Sequence, residues 1–565
     1  MSTQVSRRSL LLLFVAAGVI SGAAAVLFHE WVLLSRKLLL APALGTHGFT
    51  RALFIVGVPL VTAAILGFVV ERFAPSTVGA NLARVRRSYA EDGAHLDPRT
   101  IISTFILTPL SLGSGAPLGP EGPTVVVTSG LSVMVARLLG FPRKVLRGMV
   151  PVGTAAGIAA IFRTPITGVV FALEELFGTS SRSILGGTLI AAVAAAVVQQ
   201  AAAPDNQRLL PAAAASWTDP REMIGFAVVG VFAGLVSGVI LRVGVPLRET
   251  LRQRVPSVPL RFAIGGAAAG ILGLVNPAVL GVGYETTSFF LRGGGSLLFD
   301  AEALGAKAVA FTLATSTGLL GGTFAPSLFL GAALGALVGH AGELFLGAQI
   351  NTGAYALVGM GAFFAGTLRA PIAAVLIVIE LTNDYGLIAP LMLGVVVSNW
   401  ISHAIAPATF EEDQMEREGV GSTREQRDVF SRIRVGEVMT RTLTTFTKEE
   451  RLPEVVERTR EIRHSNYPVI DEQGRLTGIL RGETIARAVR EGRLEATVAD
   501  LAEPPPLTGR EEETLYQLVE RMAASGVTRC PVVNRNGVVV GFLSPSDVVM
   551  ARLKEQTILA DETMR

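Results

Sequence analysis

The chain has 565 residues, of which 50% are hydrophobic and only 17% are charged, and it contains 61 glycines. This balance is too apolar and too rich in glycine for a soluble multidomain enzyme, and it is typical of a membrane protein with many close helix contacts. The net charge of +3 is too small to indicate a nucleic-acid partner, and the single cysteine, Cys530, excludes an internal disulfide framework and a four-cysteine metal site.

The first apolar segment, residues 10–28, follows Arg7 and Arg8 and continues into the apolar stretch 31–40. The run is longer than the hydrophobic region of a secretory signal peptide, so we interpret it as the first membrane helix. The two arginines favour a cytoplasmic N-terminus.

Further apolar segments recur as far as residue 407 and differ widely in length. Several are too short to span a bilayer upright, and glycine or proline interrupts many of them, which is typical of tilted and half-membrane helices. We therefore predict an all-α polytopic membrane domain over residues 1–410.

A Gly- and Pro-rich break at residues 113–123 (GSGAPLGPEGP) contains a single acid, Glu121. An acid at membrane depth costs roughly 2.5–3.5 kcal/mol on insertion scales, so Glu121 is a candidate functional residue. Irregular backbone at that depth is tolerated only where it is buried in protein or lines an ion path.

An internal repeat relates two parts of this domain. Residues 163–174 (RTPITGVVFALE) return as residues 369–380 (RAPIAAVLIVIE), 206 residues later. The same shift places residues 119–120 on residues 325–326, which end a second Gly-rich break with the sequence GGTFAP. We interpret this pattern as a duplication.

The two halves, about 10–205 and 220–410, are predicted to form an inverted repeat of the kind that binds substrate where broken helices meet. Both breaks precede helix-like runs, and the first N–H groups of a helix have no partner within it. Together with the helix dipole, two converging starts would form an anion site. The alternative is that glycine and proline only permit close packing here.

At Glu411 the composition changes to a charged linker, residues 411–434, followed by soluble α/β sequence over 435–565. The motif YPVID at Tyr467 returns as CPVVN at Cys530, 63 residues later. Each copy has the pattern of strand, turn, strand and helix. The pattern predicts one paired module with repeats at about 435–495 and 498–557.

These motifs resemble those of the CLC family of chloride channels and proton/chloride antiporters. Residues 113–117 match its GSGxP motif, residues 119–123 its GxEGP motif and residues 322–326 its GxFxP motif. The resemblance covers roughly residues 10–418, and the tail resembles the CBS-domain pair that many CLC proteins carry. It implies a homodimer with one pore per subunit in a bacterial inner membrane, a cytoplasmic tail, and transport without a required cofactor or metal.

The resemblance assigns the anion site to six residues: Ser114, Gly115, Gly122, Thr323, Phe324 and Phe410. The Ser114 hydroxyl would contact the central anion, and the backbone N–H groups of Thr323 and Phe324 would hold the same ion. Gly115 and Gly122 belong to the same motifs. Chloride is the expected substrate, with fluoride and nitrate as alternatives, and Ser114 favours chloride over nitrate.

The resemblance also makes Glu121 the gating glutamate and Glu175 the internal proton acceptor, which true channels usually replace with an apolar residue. An ionised carboxylate in an anion path mimics the ion, and a protonated one releases its N–H donors, so one side chain couples both movements. Glu174 is next to Glu175 on a helix and points about 100° away, so we predict a structural role for it.

Two positions depart from the family pattern. Pro120 replaces the usual Arg or Lys before the gating glutamate, which removes a positive charge and a backbone N–H and predicts a weaker outer anion site. Phe410, in the segment ATFE, stands where the family has a Tyr that contacts the anion. Its missing hydroxyl removes one hydrogen bond, worth about 1 kcal/mol.

In CBS pairs that bind adenine nucleotides, a Ser or Thr contacts phosphate and an Asp contacts ribose. Residues 541–547 (GFLSPSD) match this pattern through Ser544 and Asp547, whereas the first repeat has GILRGET at 478–484. We therefore expect at most one nucleotide site. The alternative is a purely structural dimerisation or gating module.

The predicted function is proton/chloride antiport, and the alternative is a passive chloride channel on the same scaffold. A divalent-cation transporter would need acidic clusters within the membrane, which the sequence lacks. An enzyme is disfavoured because the sequence shows no constellation of nucleophile and base or of metal ligands.

Overall fold

The structure is a computed structural model that describes residues 6–551 apart from residue 46 and residues 79–81, 91–93, 95, 178–181, 203–209, 211–220, 347–349, 383–384, 418–429, 431–432, 460–465 and 549. It divides into two compact units, Met1–Val420 and Gly421–Arg565.

The first unit is helical. Its helices are α1 (Arg7–Leu39), α2 (Ala41–Leu44), α3 (Gly48–Phe73), α4 (Leu82–Ala90), α5 (Pro98–Gly113), α6 (Glu121–Leu138), α7 (Arg143–Phe162), α8 (Pro165–Ala172), α9 (Arg182–Ala202), α10 (Glu222–Arg254), α11 (Val258–Val275), α12 (Tyr284–Leu291), α13 (Leu297–Thr317), α14 (Phe324–Leu346), α15 (Thr352–Leu368), α16 (Pro371–Thr382), α17 (Ile388–Ile405) and α18 (Phe410–Arg417). Among the described residues, eight helices are long and apolar enough to cross a bilayer: α1, α3, α7, α9, α10, α11, α14 and α17.

The N-terminal apolar segment forms one continuous helix, α1, as predicted. The Ser6 hydroxyl caps it by accepting the Ser9 N–H at 3.1 Å. At 33 residues it has the same length as α10, its counterpart at the start of the second half. Both exceed the roughly 20 residues that span a bilayer upright, which fits tilted helices.

The duplication is visible in the backbone. Helices α7 and α15 end at Phe162 and Leu368, and the next residues, Arg163 and Arg369, both adopt the left-handed conformation with φ of 59° and 58°. That conformation is uncommon for residues other than glycine. Its presence at two positions 206 residues apart indicates that the halves share one local fold.

The halves also cap each other's helices. The Glu174 carboxylate accepts the N–H groups of Ile372 and Ala373, at 3.2 and 2.9 Å, in the first turn of α16. Its equivalent, Glu380, accepts two N–H groups in the first turn of α8, at 3.0 and 2.6 Å. Carboxylates at helix N-termini are stabilising. The reciprocal arrangement is that of a two-fold repeat, and it gives Glu174 a structural role.

The two Gly-rich breaks meet directly. Gly119 and Gly322 exchange hydrogen bonds between their N–H and carbonyl groups at 2.8 and 2.6 Å. These glycines are 203 residues apart, as are the first residues of α6 and α14, Glu121 and Phe324. The predicted match of residues 119–120 with 325–326 is therefore wrong by three residues. The second half has three more residues than the first between its break and its left-handed arginine.

Five strands and five helices of the second unit lie wholly within the described residues. They are α19 (Val435–Val438), α20 (Leu452–Thr459), β1 (Asn466–Ile470), β2 (Leu476–Arg481), α21 (Gly482–Arg490), α22 (Val498–Leu501), β3 (Gly509–Arg510), α23 (Leu515–Ser525), β4 (Cys530–Val533) and β5 (Val539–Leu543). Strands β1 and β2 form an antiparallel hairpin, and β4 forms a second one with β5 while pairing in parallel with β3.

The 63-residue repeat has the same strand register in both copies. Tyr467 lies opposite Leu480 in the first hairpin, and Cys530 lies opposite Leu543 in the second. The segment that leads into each repeat pairs with the hairpin of the other: Thr440 with Phe542, and Glu503 with Ile479. Neither repeat is therefore complete without its partner.

Candidate anion and proton site

Two helix starts face each other where the breaks meet. Helix α6 begins at Glu121 and α14 begins at Phe324, and each has a proline as its third residue, Pro123 and Pro326. Proline is tolerated there because the first N–H groups of a helix have no partner within the helix. The two starts thus present backbone N–H groups and positive dipole ends to a common region.

The Glu121 side chain lies on the helix start of the other half. It is fully buried, at 0% exposure. One carboxylate oxygen accepts the Ala325 N–H of α14 at 3.4 Å, and the other accepts the Tyr284 hydroxyl at 2.5 Å. A buried carboxylate needs such donors in place of water. Glu121 therefore occupies a place where an anion would find the same donors.

The sequence analysis did not single out Tyr284. The loop that precedes it is held by a buried lysine. Gly283, with φ of 90°, precedes Tyr284 at the start of α12. Lys307 on α13 is 0% exposed and donates to the carbonyls of Val279 and Gly281 at 2.8 and 2.7 Å. A lysine within an apolar helix is a recognisable signal, but no motif marks Tyr284.

A cavity of about 40 Å³ lies beside the two starts, large enough for a water-sized species. Four of the predicted anion-site residues line it: Gly122, Thr323, Phe324 and Phe410. Five further lining residues with polar side chains were not identified from the sequence: Thr77, Thr108, Arg248, Thr315 and Glu411.

The structure does not bring Ser114 and Gly115 to this cavity. Ser114 ends α5, and its hydroxyl donates to the Ser111 carbonyl at 2.8 Å. Gly115 has φ of 115°, and a side chain at this position would meet apolar atoms of Leu280 and Pro59. The GSGAP motif thus lies in the turn between α5 and α6, and the anion contact of these two residues stays a prediction.

The ring of Phe410 forms part of the cavity wall. The ring packs edge to face on Phe311 with centroids 6.2 Å apart, and the Arg248 guanidinium carbon is 5.5 Å from its centroid. Arg248 also donates to the Phe410 carbonyl at 3.3 Å. The donor that a tyrosine hydroxyl would supply is absent, but a guanidinium is close to the same cavity.

Glu175 lies in a π-helical turn, Leu173–Phe177, that continues α8. Its side chain is 8% exposed and forms an ion pair with Arg86 of α4. Arg86 also contacts the Met415 sulfur at 3.3 Å. The sequence did not reveal this arginine partner, because α4 is remote in the chain and carries no motif. Among the described residues, no cluster of three or more His, Cys, Asp or Glu could hold a metal ion.

In the second unit, Ser544 and Asp547 lie together. One Asp547 oxygen accepts the N–H and the hydroxyl of Ser544 at 2.8 and 2.6 Å, and the other accepts the Thr440 hydroxyl at 2.8 Å. They line a cavity of about 210 Å³ with Thr442, Thr444 and Arg529. A second cavity, of about 880 Å³, is lined by residues that include Arg481, Glu483 and Arg490.

Comparison with known proteins agrees with this architecture. The family described as voltage-gated chloride channel matches residues 62–403, and CBS domains match residues 435–491 and 498–554. A ClcB-like chloride channel protein from Ralstonia nicotianae is 34% identical over 307 residues, which are 53% of this chain and 71% of that protein.

Solved structures show the same fold. The crystal structure of a slow cyanobacterial chloride/proton antiporter superposes with a TM-score of 0.67 at 22% identity, covering 74% of this chain and 99% of that chain. A eukaryotic CLC transporter gives 0.64 at 18% identity, covering 95% and 97%.

The broken-helix repeat, the eight apolar helices and the paired C-terminal module define a multi-pass membrane protein of the ion-transport class with a CBS pair. More narrowly, the chain belongs to the CLC family of chloride channels and transporters.

Proposed function

We propose that this protein is a proton-coupled chloride antiporter in which Glu121 is the gating carboxylate and Glu175 the internal proton acceptor. The observation that carries the proposal is the bond from the Ala325 N–H to the Glu121 carboxylate. When ionised, Glu121 competes with chloride for the α14 helix start. When protonated, it is a poorer acceptor for N–H groups and leaves the place to chloride.

Chloride would be held by the first N–H groups of α6 and α14, at Gly122, Thr323 and Phe324, beside the ring of Phe410. These four residues line the cavity between the helix starts. Backbone N–H groups can bind an anion without a neutralising cation, so the anion can also leave. Arg248, on the same cavity wall, adds a full positive charge that Phe410 and Pro120 do not supply.

The test is flux in proteoliposomes with an imposed chloride gradient and a proton readout. We expect uphill proton movement driven by chloride. Glu121→Gln and Glu175→Gln should each abolish proton movement while chloride flux continues, and Glu302→Gln, an exposed residue of α13, should behave as the unchanged protein. Chloride flux without proton movement in the unchanged protein would exclude antiport.

A passive chloride channel is the second candidate, and one observation favours it. Arg86 holds the Glu175 carboxylate in an ion pair. A buried carboxylate whose charge is balanced by an arginine can have a structural role without carrying a proton. If the protein is a channel, neither the unchanged protein nor Glu175→Gln moves protons, because no proton passes through that residue.

We propose from the family resemblance that the protein is a homodimer with one pore per subunit, in a bacterial inner membrane with its CBS pair in the cytoplasm. Exposed apolar residues on α17, Met392, Val396 and Trp400, are spaced on one face that requires lipid or a second copy. Photobleaching of a labelled chain should occur in two steps, and a C-terminal reporter should be active only in the cytoplasm.

We also propose that Ser544 and Asp547 form an adenine-nucleotide site. Their cavity of about 210 Å³ is smaller than ordinary ligand pockets, so a ribose would have to displace the Thr440 hydroxyl from Asp547. That existing bond favours the competing view of a structural module. Calorimetry with AMP and ATP distinguishes a nucleotide site from a structural module. If the site exists, Asp547→Ala should abolish nucleotide binding. Thr484→Ala, at the equivalent position of the first repeat, should preserve it.

A further inference from the structure

A second buried carboxylate reaches the anion cavity from the segment that leads to the second unit. Glu411, the second residue of α18, is 4% exposed and lines the cavity. Its carboxylate accepts the Thr323 hydroxyl at 2.8 Å. Thr323 immediately precedes α14, the helix whose Ala325 N–H binds Glu121. Two carboxylates from different parts of the chain therefore share one helix start.

Glu411 is not needed to cap its own helix. The Thr409 N–H donates to the Glu412 carboxylate at 2.9 Å, and the Glu412 N–H donates to the Thr409 hydroxyl at 3.1 Å. This reciprocal capping box already satisfies the start of α18. The inward orientation of Glu411 therefore has another origin, and its observed partner is a residue of the anion cradle.

The charges around Glu411 come from three other elements. Arg248 of α10 lines the same cavity and interacts electrostatically with the Glu411 carboxylate, as does Arg86 of α4. Glu175 in the π-helical turn interacts electrostatically with the Glu411 carboxylate.

On its own helix, the next two acids of α18 are each engaged by an arginine. Glu412 pairs with Arg369 at 2.7 Å, and Asp413 pairs with Arg417 at 2.9 Å. The Glu411 carboxylate instead accepts a hydrogen bond from the Thr323 hydroxyl.

We propose that Glu411 is a second gating carboxylate, which closes the end of the anion path next to the linker as Glu121 closes the α14 helix start. Ionised, it holds the Thr323 hydroxyl and keeps anions out by charge and by volume. On taking a proton from the solution on its own side it releases Thr323, and an entering chloride then meets that hydroxyl and Arg248. The proton returns to the same solution when the carboxylate closes again.

This inference rests on the proposed anion path, but not on proton coupling. Chloride affinity of the full-length protein in detergent is measured by calorimetry between pH 5 and 8 in a Glu121→Gln background, where the first gate is neutral. Chloride binding in this background should weaken as the pH rises and Glu411 ionises. Adding Glu411→Gln should tighten it about tenfold at pH 7.5, the factor that one charge-assisted hydrogen bond carries, and should flatten the pH profile.

The matched control is Glu416→Gln, the same change on an exposed residue of the same helix, which should leave the profile of the background unchanged. Glu411→Ala removes both the charge and the volume of the carboxylate, so it should also tighten binding, and it decides the matter if the Gln variant does not fold. Affinity and pH profile equal to those of the background in the folded variant would overturn the inference. A failure of proton coupling in flux assays would overturn antiport alone.

Discussion

At the scale of single residues, the membrane unit buries several charged side chains, each with a definite partner. Glu121 binds Tyr284 and a helix start, Glu175 pairs with Arg86, and Lys307 binds two carbonyls. Burying such groups without partners would be strongly unfavourable. In the proposed mechanism, a chloride ion or a proton replaces one of these partners during transport.

Tyr284→Phe removes one of the two donors that hold Glu121 at the α14 helix start. Loss of a charge-assisted bond should favour release of Glu121, so chloride flux at neutral pH should rise about tenfold. The control is Tyr355→Phe, which removes a hydroxyl from a buried ring that packs on Phe226. A Tyr284→Phe flux equal to that of the control would show that this bond does not hold the gate.

Cys530 tests the burial of the second unit. Its side chain is 0% exposed, and burial raises the pKa of the thiol to about 12. Only the thiolate reacts with alkylating reagents, and at pH 8 about one thiol in ten thousand is ionised. The native protein should resist maleimide and incorporate one label after denaturation, because Cys530 is its only cysteine. Rapid native labelling would contradict the packing of β4.

At the scale of elements, the N-termini of four helices form the candidate anion site and the contacts between the two halves. Those of α6 and α14 form the candidate anion site, and those of α8 and α16 are capped by carboxylates from the opposite half. Both arrangements arise because the first turn of a helix leaves N–H groups that must find an acceptor. One pair of starts is satisfied by Glu380 and Glu174, whereas at the other, in the proposed mechanism, an anion replaces the Glu121 carboxylate.

Glu380→Ala should lower the free energy of unfolding by about 1–2 kcal/mol, because two N–H groups of α8 lose their acceptor. Glu174→Ala should have the same effect on α16, since the contacts are reciprocal. Thermal unfolding in detergent measures both. Glu302→Ala, an exposed site on α13, is the control, and equal stability of all three variants would show that the cross-repeat caps contribute nothing.

At the scale of the whole molecule, two units with separate cores lie on one chain. The second unit has two hydrophobic clusters of its own, one around Phe446 and Val469 and one around Val435 and Val532. Because the leading segment of each repeat pairs with the hairpin of the other, the unit is complete only with both copies.

A fragment of residues 421–565 should therefore fold without the membrane unit and unfold cooperatively in urea. A fragment of residues 421–497, which keeps one repeat and loses the strand partner of Thr440, should be unfolded. Circular dichroism during denaturation distinguishes the two. A cooperative transition in the shorter fragment would contradict the exchange of segments between repeats.

The sequence alone determined the class of fold, both repeats and the CBS pair, and it singled out Glu121, because hydrophobic runs, Gly/Pro breaks and spacing are local patterns that can be recognised without coordinates. Four of the residues that it assigned to the anion site line one cavity: Gly122, Thr323, Phe324 and Phe410. It could not show that the Ser114 hydroxyl donates to the Ser111 carbonyl of its own helix, because a motif does not fix the direction of a hydroxyl. Only the tertiary structure decided the partners Tyr284, Arg86, Arg248 and Glu411, because such contacts join residues 80 to 330 positions apart, where no sequence period or motif relates them.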